Sequence, residues 1–162
     1  MIDLEKTIRL LADSRIEFVI IGGVAGSIHG SAQVTFDLDV CYERGDENLK
    51  RLAETLSPLR PQLRGALTGL PFVWDAETLR RGLNFTLRTD FGDLDLIGEV
   101  PGVGAYEQVR RASVTLTLFG AECAVLSLDG LIAAKRAAGR AKDKLMLPEL
   151  EALRDLTRRE ED

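Results

Sequence analysis

The segment EFVIIGGVAGSIHGSAQVTFDLDVCYE, residues 17–43, decides the predicted fold. Its apolar run Phe18–Ile21 has the length of a buried strand. The strand ends at Gly22 and Gly23, which carry no side chains and therefore let a bound group approach the backbone closely. Small residues then predict a short helix, and N–H groups at a helix N-terminus are typical partners of a phosphate. The glycine pair therefore indicates a phosphate site, with a purely structural turn as an equally good interpretation.

Two aspartates lie on one side of the second predicted strand, Val34–Tyr42. Asp37 and Asp39 are at positions i and i+2, and side chains at this spacing point to the same face of a strand. Two carboxylates facing one spot are costly without a cation, and Mg²⁺ takes one or two carboxylates together with substrate phosphates. We therefore predict that both aspartates bind Mg²⁺ or Mn²⁺; a solvent-exposed strand face is the alternative.

A third carboxylate comes from a hairpin predicted over Asn84–Arg88 and Asp93–Ile97. Its second strand alternates, so that Asp93 and Asp95 share one face and leucines share the other. If this strand lies beside Val34–Tyr42, it brings a carboxylate to the aspartate pair. We predict Asp95 in this role; a register shift of two residues would place Asp93 there instead.

The remaining elements predict an α/β (α+β) fold with a short mixed sheet flanked by helices. Helices are predicted over residues 3–14, 47–56, 106–111 and 127–138, and strands over 114–119 and 121–126. Residues 57–78 lack periodicity, residues 98–104 read as a glycine-rich loop, and Pro148 predicts that a final helix begins near Leu147. We expect one domain over residues 1–162, with a core of about 15–126 and a helical region over 127–160.

Basic residues gather late in the chain, although the formal net charge is −5. The negative charge argues against a protein that coats nucleic acid by bulk electrostatics, but it allows a local basic site. We predict that Lys135, Arg140 or Lys142 adds positive charge to a bound triphosphate.

The hydropathy pattern predicts a cytoplasmic protein without a membrane partner. No apolar run approaches the roughly 18 residues of a membrane span. The first residues, MIDLEKTIRLL, include acids and lack the uninterrupted apolar core of a secretory signal.

These elements together suit transfer of a nucleotidyl group from a nucleoside triphosphate to a hydroxyl group. That reaction needs a grip on the phosphates, divalent metal to neutralise charge, and activation of the attacking hydroxyl. Gly22 and Gly23 would contact the phosphates, and Asp37 and Asp39 would hold the metal. Asp95 would bind a second ion or accept the proton of the hydroxyl.

The same residues resemble a known family. The glycine pair after a strand, the FDLDV segment and Asp95 on an alternating strand are similar to the nucleotidyltransferase superfamily of the polymerase-beta type. The short length, GDLDLIGE and KRAAGRAKDK resemble its minimal bacterial and archaeal branch, which includes nucleotidyltransferase toxins of the abortive-infection kind. The resemblance covers about residues 17–43, 84–99 and 127–155.

The resemblance implies a metal pair held by Asp37, Asp39 and Asp95 and a nucleoside triphosphate as substrate. The acceptor stays open between RNA, a protein hydroxyl and a small molecule, and a toxin would have a cognate antitoxin as partner. Gly23 stands where proven enzymes often have serine, and Ser27 is the substitute hydroxyl one helical turn later.

Two alternatives compete with this enzyme hypothesis. The chain has Gln33 where many relatives carry arginine, so a catalytically inactive nucleotide-binding or partner-binding module of the same fold is the first. A Rossmann dinucleotide site is weaker, because GGVAG lacks the G-x-G-x-x-G spacing and a single ribose-binding acid would not explain three aspartates.

Overall fold

The architecture is a mixed sheet with helices packed on it, in a computed structural model that describes residues 1–65 and 71–161. The helices are α1 (Leu4–Asp13), α2 (Gly22–Ile28), α3 (Asp46–Leu56), α4 (Ala76–Arg81), α5 (Tyr106–Arg111), α6 (Leu128–Ala138) and α7 (Ala141–Glu161). The strands are β1 (Phe18–Ile21), β2 (Leu38–Tyr42), β3 (Gln62–Leu63), β4 (Asn84–Thr89), β5 (Gly92–Ile97), β6 (Glu99–Val100), β7 (Gly104–Ala105), β8 (Ser113–Leu118) and β9 (Ala121–Leu126). A 3₁₀ turn over Ser57–Leu59 follows α3. The predicted fold class is confirmed.

The main sheet has the strand order β3-β4-β5-β2-β1-β9-β8. β1 runs parallel to β9 and β2 runs parallel to β5, whereas the other neighbouring strands are antiparallel. All four residues of β1 are buried, which explains why its sequence is a continuous apolar run rather than an alternating one. The segment that begins with β1 therefore supplies the centre of the sheet.

The register of β2 fixes the position of its aspartate. Asp39 pairs with Ile21, the last residue of β1, and with Asp95 in β5. Leu38 pairs with Leu94 on the opposite face, and both leucines are fully buried. The apolar face thus fixes the register, because a slip of one residue would bury the carboxylates and expose the leucines.

Side-chain caps begin two of the predicted helices. Asp3 accepts a hydrogen bond from the Lys6 N–H at the start of α1, and Ser127 accepts one from the Gly130 N–H at the start of α6. Gly139 ends α6 with φ +63°, a left-handed conformation that glycine adopts without strain. Helices α1 and α6 therefore begin at side chains that satisfy a free N–H group at the helix start.

The strand predicted over Val34–Tyr42 is shorter in the structure and begins at Leu38. β1 ends opposite Asp39, because the chain turns into α2 after Ile21, so earlier residues have no β1 backbone to pair with. The Phe36 carbonyl instead accepts a hydrogen bond from the Ile2 N–H at 3.1 Å. Asp37 consequently lies just before the strand rather than inside it.

The prediction that a new helix begins near Leu147 is wrong. α7 is continuous from Ala141 to Glu161 and contains Pro148 in its interior. Proline deprives the Lys144 carbonyl of its usual partner, but Pro148 is exposed, so water can bond to that carbonyl.

The glycine-rich stretch over residues 98–104 contains the short β6–β7 hairpin rather than only a loop. The aperiodic stretch over residues 57–78 contains β3 and the first residues of α4, and its residues 66–70 lie outside the described part of the chain. Among the described residues, no helix is both long and apolar enough to cross a membrane.

Asn48 joins three elements beneath the sheet. Its side chain is buried, donates to the Glu17 and Glu43 carbonyls at 3.2 and 2.8 Å, and accepts from the Glu17 N–H at 2.8 Å. These bonds connect the start of β1, the end of β2 and the first turn of α3. Removing this buried side chain would take a hydrogen bond from each of the three backbone groups, although the Glu17 carbonyl would still accept from the Glu43 N–H.

We expect Asn48→Ala to lower the free energy of unfolding by about 1–3 kcal/mol, because three backbone groups lose their hydrogen bonds to a buried side chain. Urea denaturation followed by circular dichroism measures this change. Lys50→Ala is the matched control, since Lys50 is an exposed residue of the same helix, and it should change stability by less than about 0.5 kcal/mol. An N48A midpoint equal to that of K50A would contradict this role.

Candidate metal centre

Three carboxylates converge at one edge of the sheet. Asp39 in β2 and Asp95 in β5 are direct partners in the parallel register, and Asp37 precedes β2 by one residue. One oxygen from each of the three lies within 4.8 Å of the others. The structure brings together the three aspartates that the sequence predicted as metal ligands, and Asp93 lies outside this group. Their binding of a metal stays a prediction.

Asp39 is the most deeply placed of the three carboxylates. Its Oδ1 atom is buried and has no hydrogen-bond partner among the described residues. Burial, together with the neighbouring charges of Asp95 and Asp37, raises the pKa of Asp39 to about 7. A buried carboxylate oxygen without a donor, next to two other carboxylates, is the arrangement that a bound cation would relieve.

The residue types fit a hard divalent ion. Carboxylate oxygens are the ligands that Mg²⁺ and Mn²⁺ prefer, whereas zinc structural sites use cysteine and histidine. Asp37, Asp39 and Asp95 are therefore the residues that could hold such an ion.

Position 22 requires a glycine, because the residue there packs directly against Asp39. Its φ is +63°, and a Cβ atom at this position would overlap Oδ2 of Asp39. Any larger residue would therefore both strain the backbone and displace a carboxylate. A Cβ atom on Gly23 would lie 2.9 Å from Oγ1 of Thr35, so the space beside Gly23 is filled by a threonine that sequence reasoning did not single out.

A cavity of about 310 Å³ opens next to the carboxylates. Gly22 and Asp39 line it, together with the charged residues Lys135, Arg140 and Asp143. The apolar part of its lining consists of Ile21, Ile97, Val100, Pro101, Leu126, Leu131, Ala134 and Ala138. Two of the predicted phosphate-binding cations therefore face the same space as the metal-ligand candidates.

Asp143 organises these two cations and was not foreseen from the sequence. Its carboxylate is fully buried, accepts from Arg140 Nε at 2.7 Å and accepts from Lys135 Nζ at 3.2 Å. The Arg140 hydrogen bond is the main reason that the pKa of Asp143 falls to about 2, with Lys135 contributing in the same direction. The α6–α7 connection is thereby held so that Lys135 and Arg140 stay on the cavity wall.

Arg64 is a second residue that the sequence did not reveal. It follows β3, its side chain is one-quarter exposed, and its Nη2 donates to Oδ1 of Asp95 at 2.8 Å. The same nitrogen lies 3.7 Å from Oδ2 of Asp37. No local pattern marks Arg64, because only the pairing of β3 with β4 brings it to the centre.

Two residues that were predicted to bind the nucleotide, Ser27 and Lys142, lie elsewhere. The Ser27 hydroxyl donates to the Gln33 carbonyl at 3.4 Å, and Lys142 is exposed and lies outside the set that lines the cavity. Their proposed contacts with a nucleotide, like those of Gly22 and Gly23, stay predictions.

Comparisons with known proteins support the fold. The chain matches no protein-family model and no curated protein. Its structure is similar to that described as a "putative nucleotidyltransferase (TM1012) from Thermotoga maritima", with a TM-score of 0.58 and 16 % sequence identity. The match covers 92 % of this chain and 94 % of the other chain. This likeness shows a nucleotidyltransferase-like fold, and at this identity it shows the fold alone.

The Asp39 environment predicts a stability that depends on pH. The pKa of Asp39 is about 7 in the folded protein and near 3.8 for an ordinary aspartate, so the folded state binds the proton more tightly. The contribution of Asp39 to the free energy of unfolding therefore falls as the pH rises from about 4 to 7 in a protein stripped of metal. The substitution Asp39→Asn removes this loss of stability, because the amide stays neutral and can donate a hydrogen bond to Asp95.

We expect Asp39→Asn to raise the Tm relative to the wild-type protein at about pH 8 in the presence of a chelator, and to change it little at about pH 5. Differential scanning calorimetry at both pH values measures this. Asp90→Asn, in the exposed β4–β5 turn, should show no such pH-dependent gain. A D39N protein less stable than wild type at about pH 8 would refute the electrostatic account of the centre.

Proposed function

We propose that this protein is a metal-dependent nucleotidyltransferase that moves a nucleoside monophosphate from a nucleoside triphosphate to a hydroxyl acceptor. One observation carries the proposal. Three carboxylates converge within 4.8 Å, and one of them, Asp39, lines a cavity that Lys135 and Arg140 also line. A site that combines clustered anions with cations suits a metal ion and a polyphosphate bound together.

Asp37, Asp39 and Asp95 would hold Mg²⁺ or Mn²⁺. When bound, the ion supplies positive charge that neutralises the phosphates and the developing transition state. The carboxylates themselves position that charge at the strand ends, where the parallel register of Asp39 and Asp95 keeps them adjacent. Gly22 contributes by leaving room for Oδ2 of Asp39.

The triphosphate would lie in the cavity between the carboxylates and the α6–α7 connection. Lys135 and Arg140 supply the positive charge there, and Asp143 holds both at fixed positions. The N–H groups near Gly22 and Gly23 would bond to phosphate oxygens, and Lys142 would add charge at the rim. Ser27 would contact the triphosphate only if the loop around Gln33 rearranges, because the Ser27 hydroxyl already donates to the Gln33 carbonyl.

The reaction forms a bond between the acceptor oxygen and the α-phosphorus, and it breaks the bond from that phosphorus to the bridging oxygen. Pyrophosphate leaves on the side opposite to the attacking hydroxyl. With the triphosphate near Lys135, the acceptor would approach from the side of β4 and β5, where Thr86 pairs with Asp95. Asp95 would take the proton from the hydroxyl.

The acceptor is proposed to be RNA or a protein hydroxyl. The net charge of −5 favours an acceptor that needs few phosphate contacts, because a protein that follows a long nucleic acid is usually basic. The resemblance to nucleotidyltransferase toxins suggests a toxin–antitoxin component that acts in the cytoplasm and has a cognate antitoxin. We also propose that residues 1–162 form a single domain.

A second candidate is an inactive nucleotide-binding or partner-binding module of this fold. It is favoured by the space beside Gly23, which Thr35 fills, since a serine there would meet the threonine side chain. The two candidates predict the same triphosphate binding and differ only in turnover.

Incubation with Mg²⁺ or Mn²⁺ and nucleoside triphosphates labelled at the α-phosphate should label an RNA or protein acceptor in a cell extract. Triphosphates labelled at the γ-phosphate should leave it unlabelled, because nucleotidyl transfer keeps the α-phosphate and releases the γ-phosphate. Gel electrophoresis with autoradiography, followed by nuclease or protease treatment, identifies the acceptor class.

Asp37→Asn and Asp95→Asn should each lower labelling by at least about 100-fold, as expected for loss of a group that stabilises transition-state charge. Asp90→Asn, an exposed aspartate outside the centre, should keep the wild-type rate. Thermal stabilisation by triphosphate with metal but without labelling would support the inactive module. Labelling that survives in D37N and D95N would refute the proposed site.

A further inference from the structure

Arg64 binds the carboxylates through two separate ends of its guanidinium. Nη2 donates to Oδ1 of Asp95 at 2.8 Å and lies 3.7 Å from Oδ2 of Asp37. Nη1 donates to the Leu87 carbonyl at 3.0 Å and lies 3.8 Å from Oδ2 of Asp93. One end of the guanidinium thus faces the metal-ligand candidates, and the other end has its own partners outside them.

The backbone of Arg64 is fixed to the sheet. Its N–H donates to the Thr86 carbonyl at 2.9 Å, and the preceding Leu63 pairs with Leu87 in β4. A change in the contact with Asp95 would therefore come from rotation of the side chain, which is one-quarter exposed and has solvent beside it.

The guanidinium and a divalent ion would use the same carboxylate. Oδ1 of Asp95 accepts a charge-assisted hydrogen bond, which draws electron density from the oxygen that an ion would bind. A positive charge within about 4 Å of that position also repels a second cation. Arg64 therefore stabilises the carboxylate group and opposes metal binding at the same time.

We propose that Arg64 is a built-in counter-cation of the metal centre, which must release Asp95 before a divalent ion binds there. Asp93 has a defined part in this exchange: it keeps the Nη1 end close by, so that only the Nη2 end is released. This inference rests on the metal centre of the proposed function and adds a competing cation that sets its metal affinity.

The test is a titration of the protein with Mn²⁺ in the absence of nucleotide, with free Mn²⁺ measured by electron paramagnetic resonance. Arg64→Gln should lower the Kd for Mn²⁺ by about 5- to 10-fold, because the competing charge is removed. The Kd of the Arg64→Lys variant for Mn²⁺ should lie between those of R64Q and the wild-type protein. A lysine keeps the charge but cannot reach both groups of partners. Without metal, R64Q should melt below the wild-type protein.

Arg60→Gln is the matched control. Arg60 lies four residues earlier, is largely exposed and forms a bidentate pair with Asp90 away from the three carboxylates. R60Q should bind Mn²⁺ with the wild-type Kd. A lower Kd in R60Q of the same size as in R64Q would assign the effect to net charge and overturn the specific role of Arg64.

A wild-type measurement covers the case in which the Arg64 variants do not fold. The Nε–H resonance of Arg64 in ¹⁵N-labelled protein should shift on addition of Mg²⁺, while that of Arg60 stays in place. An unmoved Arg64 resonance at saturating Mg²⁺, or an R64Q Kd equal to or above the wild-type value, would overturn the inference and leave the proposed function standing. Failure of both the wild-type protein and R64Q to bind Mn²⁺ would refute the metal centre itself and with it the proposed function.

Discussion

Mutual repulsion of three carboxylates is the constraint on which the site depends. Asp37, Asp39 and Asp95 approach one another within 4.8 Å, and one oxygen of Asp39 is buried without a partner among the described residues. Burial and the neighbouring charges together raise the pKa of Asp39 to about 7. Such a group is stable only if the rest of the fold holds it in place and cations offset its charge.

The fold meets this constraint with paired strands and with the positively charged side chains of arginine and lysine. Parallel pairing of β2 and β5 places two of the carboxylates side by side, and the fully buried leucines on the opposite face prevent a slip of register. Arg64 on one side and Lys135 on the other supply positive charge. Asp143 in turn anchors Lys135 and Arg140, so the cations are as firmly positioned as the anions.

Local pattern was sufficient for much of this arrangement. The apolar run before Gly22, the i and i+2 spacing of the first aspartate pair and the alternation around Asp95 predicted the strands and the three carboxylates. Arg64 and Thr35 could not be found in this way, because each reaches the site through tertiary contacts that leave no periodic signal. Asp143 lies three residues from Arg140, but its burial and its contact with Lys135 depend on the packing of α6 and α7. Pro148 misled the prediction for a related reason: whether a proline ends a helix depends on whether water reaches the freed carbonyl, which sequence alone does not show.

The central claim is that the three carboxylates form a cation site. Crystals grown with Mn²⁺ and measured at a wavelength near the manganese absorption edge test it directly, because anomalous scattering locates the ion independently of any assumed chemistry. The account predicts an anomalous peak roughly 2.0–2.3 Å from oxygens of Asp37, Asp39 and Asp95, within the range of hard divalent ions bound by carboxylates. Full-occupancy peaks elsewhere, with no peak between these three side chains, would contradict it.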